Sequence, residues 1–338
     1  MRDSHQAPDL RIEYYQWEGR RYCMVNGGIA YQFPWDEIEW ERLDMIHCLI
    51  HDHALDKRSY ISPLDASSGR AKILDVGCGT GIFCYDVGEA NPNFDVIGID
   101  LADGPKGVAI PNVQIMTPVD FNLPEWPLRP HDFDLIRNAH LNGSVTNWEQ
   151  HLRKCFHYLK SGGFFEHIDI DFTPRLRLEY TPPRDELVAA GGYQRWQEKL
   201  MEEIRPVQEW WHLMQEASHR MGRPLTYPSN MEEMLENAGF DRTHHETFRI
   251  HMVPPPVDGD IREEDGNRAE VKMENLFKGA MFQFHANRAN RPVDLEGLTM
   301  YLLTQYCNPP RSVDEVRKRC ADVARICNSR RRPVYFNL

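Results

Sequence analysis

The stretch Ile73-Leu-Asp-Val-Gly-Cys-Gly-Thr-Gly81 decides the fold of this chain. Ile73 to Val76 is a short apolar run typical of a strand, and the residues from Ile82 to Val87 can begin a helix. Glycine at 77, 79 and 81 allows positive φ angles and lets the backbone approach a ligand closely. A helix that starts here points its unpaired N–H groups at whatever the turn holds. The stretch therefore predicts a strand, a ligand-binding turn and a helix.

A second strand signal, Phe94-Asp-Val-Ile-Gly-Ile-Asp100, ends in an acidic residue. A carboxylate roughly 20 residues after a glycine turn can accept hydrogen bonds from both ribose hydroxyls of a nucleoside ligand. The dinucleotide pattern G-x-G-x-x-G would need glycine where the chain has Ile82. The tighter G-x-G-x-G, preceded by Asp75, resembles the first motif of S-adenosylmethionine-dependent methyltransferases. We therefore expect S-adenosylmethionine as the cofactor.

Composition narrows the class of protein. The chain has 338 residues and a formal net charge of −12, which repels phosphate backbones and argues against direct nucleic-acid binding. No apolar run is long enough to cross a membrane, and the first residues carry no secretory signal. The eight cysteines include no C-x-x-C pair, so we expect reduced thiols in the cytoplasm or the nucleus. His244–His245 and the His47/His51 pair lack further ligands, so we expect no metal.

The central part of the chain alternates strands and helices. Strands are predicted at 71–76, 94–100, 112–116, 133–137 and 163–170, with helices after the first and the fourth. Such alternation is typical of an α/β fold with a doubly wound, mainly parallel sheet. In these sheets a ligand binds outside the carboxyl ends of the central strands.

Four segments are expected from this pattern. Residues 1–65 should form a polar tail, an aromatic stretch and a helix that begins near Trp35. Residues 66–171 and 226–256 should form the Rossmann-like core, which includes a strand over 240–252. The segment 172–225 should be a helical lid or acceptor pocket, because tryptophan and methionine recur there at helical spacing. Residues 257–338 should form a helical extension.

Cofactor contacts are predicted from the ends of the strands. The glycine turn should line the methionine part of the ligand, and Asp75 should tie either the turn or the ligand's ammonium group. Asp100 should hold the ribose, and Leu101 should lie against the adenine ring. The loop after the third strand should meet the adenine amine, and the end of the fourth strand offers a further contact. The residues predicted in this way are Asp75, Gly77, Cys78, Gly79, Gly81, Asp100, Leu101, Asp120, Phe121 and Asn138.

Methyl transfer depends on positioning and on the exclusion of water, and an oxygen or nitrogen nucleophile can also need a base. The catalytic candidates are His140, after the fourth strand, and Glu166 and His167, near the end of the fifth. Imidazole titrates near physiological pH, which suits a base. The competing interpretation of each histidine is a hydrogen-bonded structural residue.

Several segments together resemble the fungal LaeA-like methyltransferases, a branch of the class I methyltransferases associated with secondary metabolism. The resemblance rests on the glycine motif, Tyr31-Gln-Phe-Pro-Trp-Asp-Glu-Ile-Glu-Trp-Glu-Arg-Leu-Asp44, Gly143-Ser-Val-Thr-Asn-Trp148 and Leu159-Lys-Ser-Gly-Gly-Phe-Phe-Glu166. It implies a class I, Rossmann-like fold in which the N-terminal helix covers the cofactor. It thereby adds Tyr31 and Arg42 to the cofactor contacts.

Three hypotheses for the function stay open. The first, which we favour, is methyl transfer to an oxygen or nitrogen of a small molecule, a fungal secondary metabolite. The second is a regulator that binds the cofactor and acts through protein partners. The third is a non-methylating catalyst, such as a pericyclase or an isomerase. The expected partner is a small-molecule acceptor, with a homodimer or a regulatory protein partner as the alternatives and neither nucleic acid nor membrane.

Overall fold

The computed structural model describes residues 10–64, 69–176, 182, 184–251, 291–328 and 334–337. Its strands, in chain order, are β1 (Ile12–Trp17), β2 (Arg20–Val25), β3 (Gly28–Pro34), β4 (Lys72–Val76), β5 (Asp95–Ile99), β6 (Val113–Met116), β7 (Phe133–Ala139), β8 (Leu159–Ile168), β9 (Asp171–Leu176), β10 (Arg249–His251) and β11 (Val334–Asn337). Its helices are α1 (Glu37–His53), α2 (Ile82–Ala90), α3 (Trp148–Tyr158), α4 (Arg184–Ala190), α5 (Tyr193–Met221), α6 (Met231–Ala238), α7 (Pro292–Gln305) and α8 (Val313–Cys327).

The central sheet has five parallel strands in the order β6-β5-β4-β7-β8. Successive residues of its strands enter two different hydrophobic cores. Ile73 packs in one core with Phe83 of α2, whereas Leu74 packs in the other with Cys155 of α3. Because successive side chains of a strand point to opposite faces, helices cover both faces of the sheet. The predicted doubly wound, mainly parallel fold is confirmed.

Most predicted elements are present with small shifts in their ends. The five predicted strands correspond to β4, β5, β6, β7 and β8, and the helices predicted near Trp35 and over 146–160 correspond to α1 and α3. Asn147 caps α3, because its side chain accepts a hydrogen bond from Gln150 N. The segment expected to be helical over 172–225 contains most of β9 as well as α4 and α5.

The segment before α1 differs from the predicted polar tail and aromatic stretch. Residues 12–34 form three antiparallel strands in the order β1-β2-β3. Two tight turns join these strands, and Glu18, Gly19, Asn26 and Gly27 in them all have positive φ. Asn-Gly at positive φ is a characteristic two-residue hairpin turn, so this dipeptide is the sequence signal that marks the sheet.

The strand predicted over 240–252 is wrong in extent and in place. Of its described residues, 240–251, only Arg249–His251 forms a strand, and this strand pairs antiparallel with β11 and not with the central sheet. Residues 241–247 are exposed, so they lack the buried alternate side chains that a strand of this sheet needs. Residues 252–256 lie outside the described part of the chain.

The chain divides into two compact units. The first comprises Met1–His47, Arg58–Asp169 and Gly222–Glu246 and contains the central sheet, the β1-β2-β3 sheet and helices α2, α3 and α6. The second comprises Cys48–Lys57, Ile170–Met221 and Thr247–Leu338 and contains α4, α5, α7, α8 and the β10-β11-β9 sheet. The division into four segments stays a prediction. Among the residues that the structure describes, no helix is long and apolar enough to span a bilayer.

Candidate functional site

The glycine turn joins β4 to α2 at the carboxyl end of the central sheet. Gly77, Gly79 and Gly81 have φ angles of 68°, 58° and 81°, in the left-handed region that residues with a Cβ rarely adopt. The N–H groups of Gly77 and Cys78 donate to the Ile99 carbonyl (2.8 and 3.1 Å), which ties the turn to the end of β5. Within the described residues, a Cβ on Gly79 would meet a single side-chain atom, at 3.8 Å. The turn is therefore open enough for a ligand to approach its backbone.

Asp100, directly after β5, is tied to the glycine turn. Its Oδ2 accepts a hydrogen bond from Gly79 N (2.8 Å), and its Oδ1 accepts one from Leu101 N (2.6 Å). Burial raises the pKa of this carboxyl to about 6, although hydrogen bonds from backbone N–H groups oppose the shift. Oδ1 also accepts a longer hydrogen bond from Ala102 N (3.4 Å). Because each carboxylate oxygen can accept two hydrogen bonds, Oδ2 keeps capacity for a further donor.

β3 and α1 bring Tyr31 and Arg42 to the same place. Arg42 forms a bidentate ion pair with Glu39 (2.6 and 2.9 Å), and both side chains are buried. Burial raises the pKa of the Tyr31 phenol, and the negative charges of Glu39 and Asp100 raise it further. Tyr31 packs against the cluster of Cys23, Trp35 and Ala102, and Leu101, the residue after Asp100, packs against the same cluster. The structure therefore groups Tyr31, Arg42 and Asp100.

Asp75 is paired inside the sheet. The parallel register of β4 and β7 places Asp75 beside Arg137, and Arg137 Nη1 donates to Asp75 Oδ1 (3.1 Å). The guanidinium carbon also lies 4.0 Å from the centroid of the Phe83 ring, which is a cation–π contact. Burial raises the pKa of Asp75, and Arg137 opposes that shift. These contacts favour a role in supporting the turn over a contact with the ligand's ammonium group.

The loop after β6 brings Phe121 against the glycine turn. Its ring lies 3.4 Å from the position that a Cβ on Gly77 would take, and its carbonyl oxygen accepts a hydrogen bond from Lys154 Nζ. Asp120 Oδ1 accepts hydrogen bonds from the backbone and side-chain N–H groups of Asn122 (2.9 and 3.2 Å), which shape the loop. Phe121 lies next to the turn, and the contact of Asp120 with adenine stays a prediction.

Asn138 and His167 lie on the face of the sheet that α3 covers. Asn138 Nδ2 donates to Nε2 of His151 on α3 (2.8 Å). The His167 ring lies near the rings of Trp148 and Tyr227, with centroids at 5.0 and 5.8 Å. Burial lowers the pKa of His151 to about 3 and that of His167 to about 4, so both imidazoles are neutral at neutral pH. The hydrogen bond to His151 favours a structural role for Asn138, whereas both ring nitrogens of His167 lack a hydrogen-bond partner among the described residues, so its role stays a prediction.

Glu166 and His140 differ in what surrounds them. Glu166 Oε1 accepts hydrogen bonds from the backbone N–H groups of Ile61 and Ser62 (2.8 and 2.5 Å), which anchor that segment to β8. Burial lowers the pKa of His140 to about 3, and the positive charges of Arg137 and Arg42 contribute to the shift. The His140 imidazole is therefore neutral and can accept a hydrogen bond or a proton. The catalytic roles of His140, Glu166 and His167 stay predictions.

Comparisons with known proteins cover most of this region. Residues 48–245 match the family described as a methyltransferase domain. The chain is 30% identical over 248 residues to the secondary metabolism regulator LAE1 of Cochliobolus heterostrophus, and the match covers 72% of this chain and 73% of that protein. The chain belongs to the LaeA-like methyltransferases. It is also 31% identical over 254 residues to the methyltransferase pytC of Aspergillus terreus, with 75% of this chain and 70% of that protein covered.

Other relatives of this LaeA-like methyltransferase are longer or more distant. It is 30% identical to the secondary metabolism regulator laeA of Aspergillus niger, but the match spans only 60% of that protein's length and 74% of this chain. Among solved structures, it is similar to the [4+2]-cyclase SpnF at 15% identity and a TM-score of 0.38, with 87% of this chain and 79% of that one covered. A likeness of that size bears on neither the reaction nor the substrate.

S-adenosylmethionine is the cofactor of this LaeA-like methyltransferase. The residues present fit an adenosyl ligand, because the glycine turn is open at Gly79 and the Asp100 carboxylate beside it has acceptor capacity for a ribose hydroxyl. When bound, S-adenosylmethionine supplies an electrophilic methyl group on a positively charged sulfur. The third glycine of the dinucleotide pattern would stand at position 82, where this chain has Ile82, the first residue of α2. The third glycine of that pattern is therefore absent.

The LaeA-like methyltransferase also has site residues that the sequence analysis did not assign. Glu39 is three residues before Arg42 on one helix, a spacing that favours an ion pair and could have predicted it. Arg137 stands at the end of a predicted strand, and its pairing with Asp75 depends on the register of two parallel strands. Gln32 and Asn142 are buried polar residues with no such signal in the sequence.

Proposed function

We propose that this chain transfers a methyl group from S-adenosylmethionine to an oxygen or nitrogen of a small molecule, a fungal secondary metabolite. The observation that carries the proposal is the hydrogen bond between Asp100 and Gly79, which joins a ribose-binding carboxylate to a left-handed glycine turn. The name of the Aspergillus terreus relative, a methyltransferase, supports the reaction.

In this proposal the cofactor-binding residues act through shape and charge. Gly77, Cys78, Gly79 and Gly81 present backbone to the methionine part of the cofactor, because their turn leaves room for it. The Asp100 carboxylate accepts a hydrogen bond from the ribose. Leu101, Asp120 and Phe121 meet the adenine from the two loops that follow β5 and β6. Tyr31 and Arg42 cover the site from β3 and α1, where Glu39 holds the Arg42 guanidinium in place.

His140 is the proposed base. Its neutral imidazole accepts the proton of the acceptor's hydroxyl, because the new bond to carbon turns that oxygen into a strongly acidic oxonium. An imidazole with a pKa of about 3 is a weak base, so it suits a nucleophile that gives up its proton late in the reaction. The surrounding cationic groups of Arg42 and Arg137 disfavour a protonated His140 before the reaction begins.

A second candidate function is regulation through a protein partner that recognises the cofactor-loaded chain. It is favoured by the names of the Cochliobolus heterostrophus and Aspergillus niger relatives, both called secondary metabolism regulators. The two candidates share the cofactor site and differ in the acceptor. Incubation with methyl-labelled S-adenosylmethionine and separate pools of fungal metabolites and fungal proteins distinguishes them. Label in a small-molecule product supports the first candidate, and label only in protein, or none, supports the second.

The cofactor site is tested by calorimetry with S-adenosylhomocysteine on the wild type and on D100N. The amide in this variant lacks the charge and one acceptor oxygen, so we expect affinity to fall by about tenfold to a hundredfold, since a hydrogen bond to a charged group contributes about 1.5–3 kcal/mol. D95N is the matched control, because Asp95 is an exposed acid at the opposite end of the same strand. Unchanged affinity in D100N, or binding of a nicotinamide dinucleotide in place of S-adenosylhomocysteine, would overturn the assignment.

A further inference from the structure

Two buried amide side chains beside the proposed methyl-transfer site have no hydrogen-bond partner within the described residues. Gln32, on β3, has an exposed fraction of 0%, and Asn142, in the loop after β7, has one of 8%. Both the oxygen and the nitrogen of each amide are buried and unpartnered. A buried polar group normally has a partner, and one without it points to a bound ligand or to ordered water.

The loop Leu141–Val145 joins the two amides to the cofactor site. Leu141 lies against the glycine turn, because a Cβ on Gly77 would be 2.6 Å from its Cδ2. Gly143, two residues on, lies against Gln32, because its added Cβ would overlap the Gln32 Nε2. Asn142 is the residue between Leu141 and Gly143, which make these two contacts. Gln32 contacts the loop at Gly143 and Asn142 belongs to the same loop, so both amides lie on a segment that contacts the glycine turn through Leu141.

Hydrogen bonds hold the backbone of this loop, so the position of the Asn142 backbone is fixed. Asn142 N donates to Asp169 Oδ2 (2.8 Å), and Gly143 N donates to the Pro224 carbonyl (3.0 Å). Ser144 N donates back to the Leu141 carbonyl (2.9 Å), which closes the turn. A rigid backbone with an unpaired amide is the arrangement expected of a ligand contact that is formed in advance.

The titratable and cationic side chains of the candidate site are either paired or uncharged at neutral pH. Arg42 is paired with Glu39, Arg137 is paired with Asp75, and the pKa of His140 is lowered by burial, which keeps it neutral. The Asp169 carboxylate accepts the Asn142 backbone N–H and lies 3.9 Å from His167 Nε2. Arg223, which contacts the same loop, donates from Nη1 to the Ser144 carbonyl (3.0 Å). A charged acceptor would thus find each of these cations already engaged, and its desolvation would be costly.

We propose that Gln32 and Asn142 bind the methyl acceptor, and that this acceptor presents an uncharged edge with a donor and an acceptor side by side, as a lactam or a carboxamide does. Each amide can donate from nitrogen and accept at oxygen, so it pairs with an edge of that kind by two hydrogen bonds. The inference rests on the proposed methyl transfer and adds the chemical class of the acceptor to it.

The first test is the thermal stability of the unliganded variants Q32M and N142L. Each removes an unpaired amide without changing side-chain volume greatly, so we expect the melting temperature to stay level or to rise by about 2–4 °C. Q150M is the control, because Gln150 is exposed on α3. A fall in melting temperature in both variants would mean that internal water or other structure satisfies the amides, and the proposal would be overturned.

The second test is binding of two probes in the presence of saturating S-adenosylhomocysteine, followed by ligand-observed NMR. We expect 2-pyridone, a lactam, to bind the wild type and Q150M, and to bind Q32M and N142L at least tenfold more weakly. Benzoate, which has similar size and a negative charge, should not bind. Equal binding of both probes, or binding of 2-pyridone that neither variant weakens, would refute the inference while leaving the cofactor site intact. Failure to bind S-adenosylhomocysteine would instead refute the proposed function.

Discussion

The ion pair between Arg137 and Asp75 gives the sharpest prediction about how the cofactor turn is supported. Both side chains are almost fully buried, with exposed fractions of 7% and 3%, and they are joined by a contact of 3.1 Å. The perturbation is R137M, which keeps an unbranched apolar side chain over the Phe83 ring and removes the charge. Asp75 then remains buried without its cation.

Removing one partner of a buried ion pair costs about 3–5 kcal/mol, because the remaining charge is uncompensated. Burial already raises the pKa of Asp75, and without Arg137 the pKa rises further. A raised folded-state pKa stabilises the protein below the ordinary pKa of the acid, and this contribution is lost as the pH rises through the folded-state value. The loss of unfolding free energy in R137M should therefore be smallest at acidic pH and should grow as the pH rises towards 8.

The assay is urea unfolding followed by tryptophan fluorescence at pH 5 and at pH 8. The matched control is K160M, which breaks the pair between Lys160 and Asp134, whose side chains are 41% and 33% exposed. That change should cost less than about 1 kcal/mol. The double variant D75L/R137M should recover most of the loss, because apolar replacement of a whole buried pair is often neutral. A cost below about 1 kcal/mol for R137M, or additive costs in the double variant, would refute the reasoning.

Two further predictions concern buried residues near the site. H167F should reduce the acid sensitivity of the protein. Burial lowers the pKa of His167 from 6.5 to about 4, so this residue contributes about 1.4 kcal/mol per pH unit to the stability lost as the pH falls through that window, while His140 and His151 keep their own contributions. Equal pH slopes of unfolding free energy in H167F and wild type would contradict this. G143A should destabilise more than G162A, because both glycines have φ near 80° but only Gly143 is crowded, by Gln32 and Leu225. G162A should lose about 1–2 kcal/mol, and an equal loss in both variants would show that the crowding is relieved without cost.

The parallel sheet and the glycine turn could be predicted because their signals are local. A short apolar run, three glycines and a terminal acid lie within one continuous stretch, and each reports on the backbone of its own neighbourhood. The strand predicted over 240–252 is wrong because residues 241–247 are polar and exposed, and the short run Arg249–His251 carries no information on which strand it joins. One hairpin turn before α1 has a local signal, the dipeptide Asn26-Gly27, which the composition of the segment does not show.

The candidate site was predictable only in part. Asp100 and Phe121 follow from the rule that ligands bind at the carboxyl ends of parallel strands, and the structure brings both to the glycine turn. The sequence does not assign the two faces of β7. Arg137 and Asn138 point to opposite faces of the sheet, and only tertiary packing decides which helix covers each face. Glu166 forms its hydrogen bonds with a segment about 100 positions earlier in the chain, and no local pattern predicts such a contact.

Arg137 connects these separate observations. In the register of the sheet it lies between Asp75 on β4 and Glu166 on β8, so one cation is flanked by two carboxylates in a row across three strands. Asp75 stands two residues before Gly77, the first residue of the glycine turn, and Glu166 anchors the segment at Ile61. The same cation also lowers the pKa of His140 beyond the end of β7. Burial is the main cause of that lowered pKa, and Arg137 adds to it, so one buried cation both pairs with Asp75 before the turn and favours the neutral form of the proposed base.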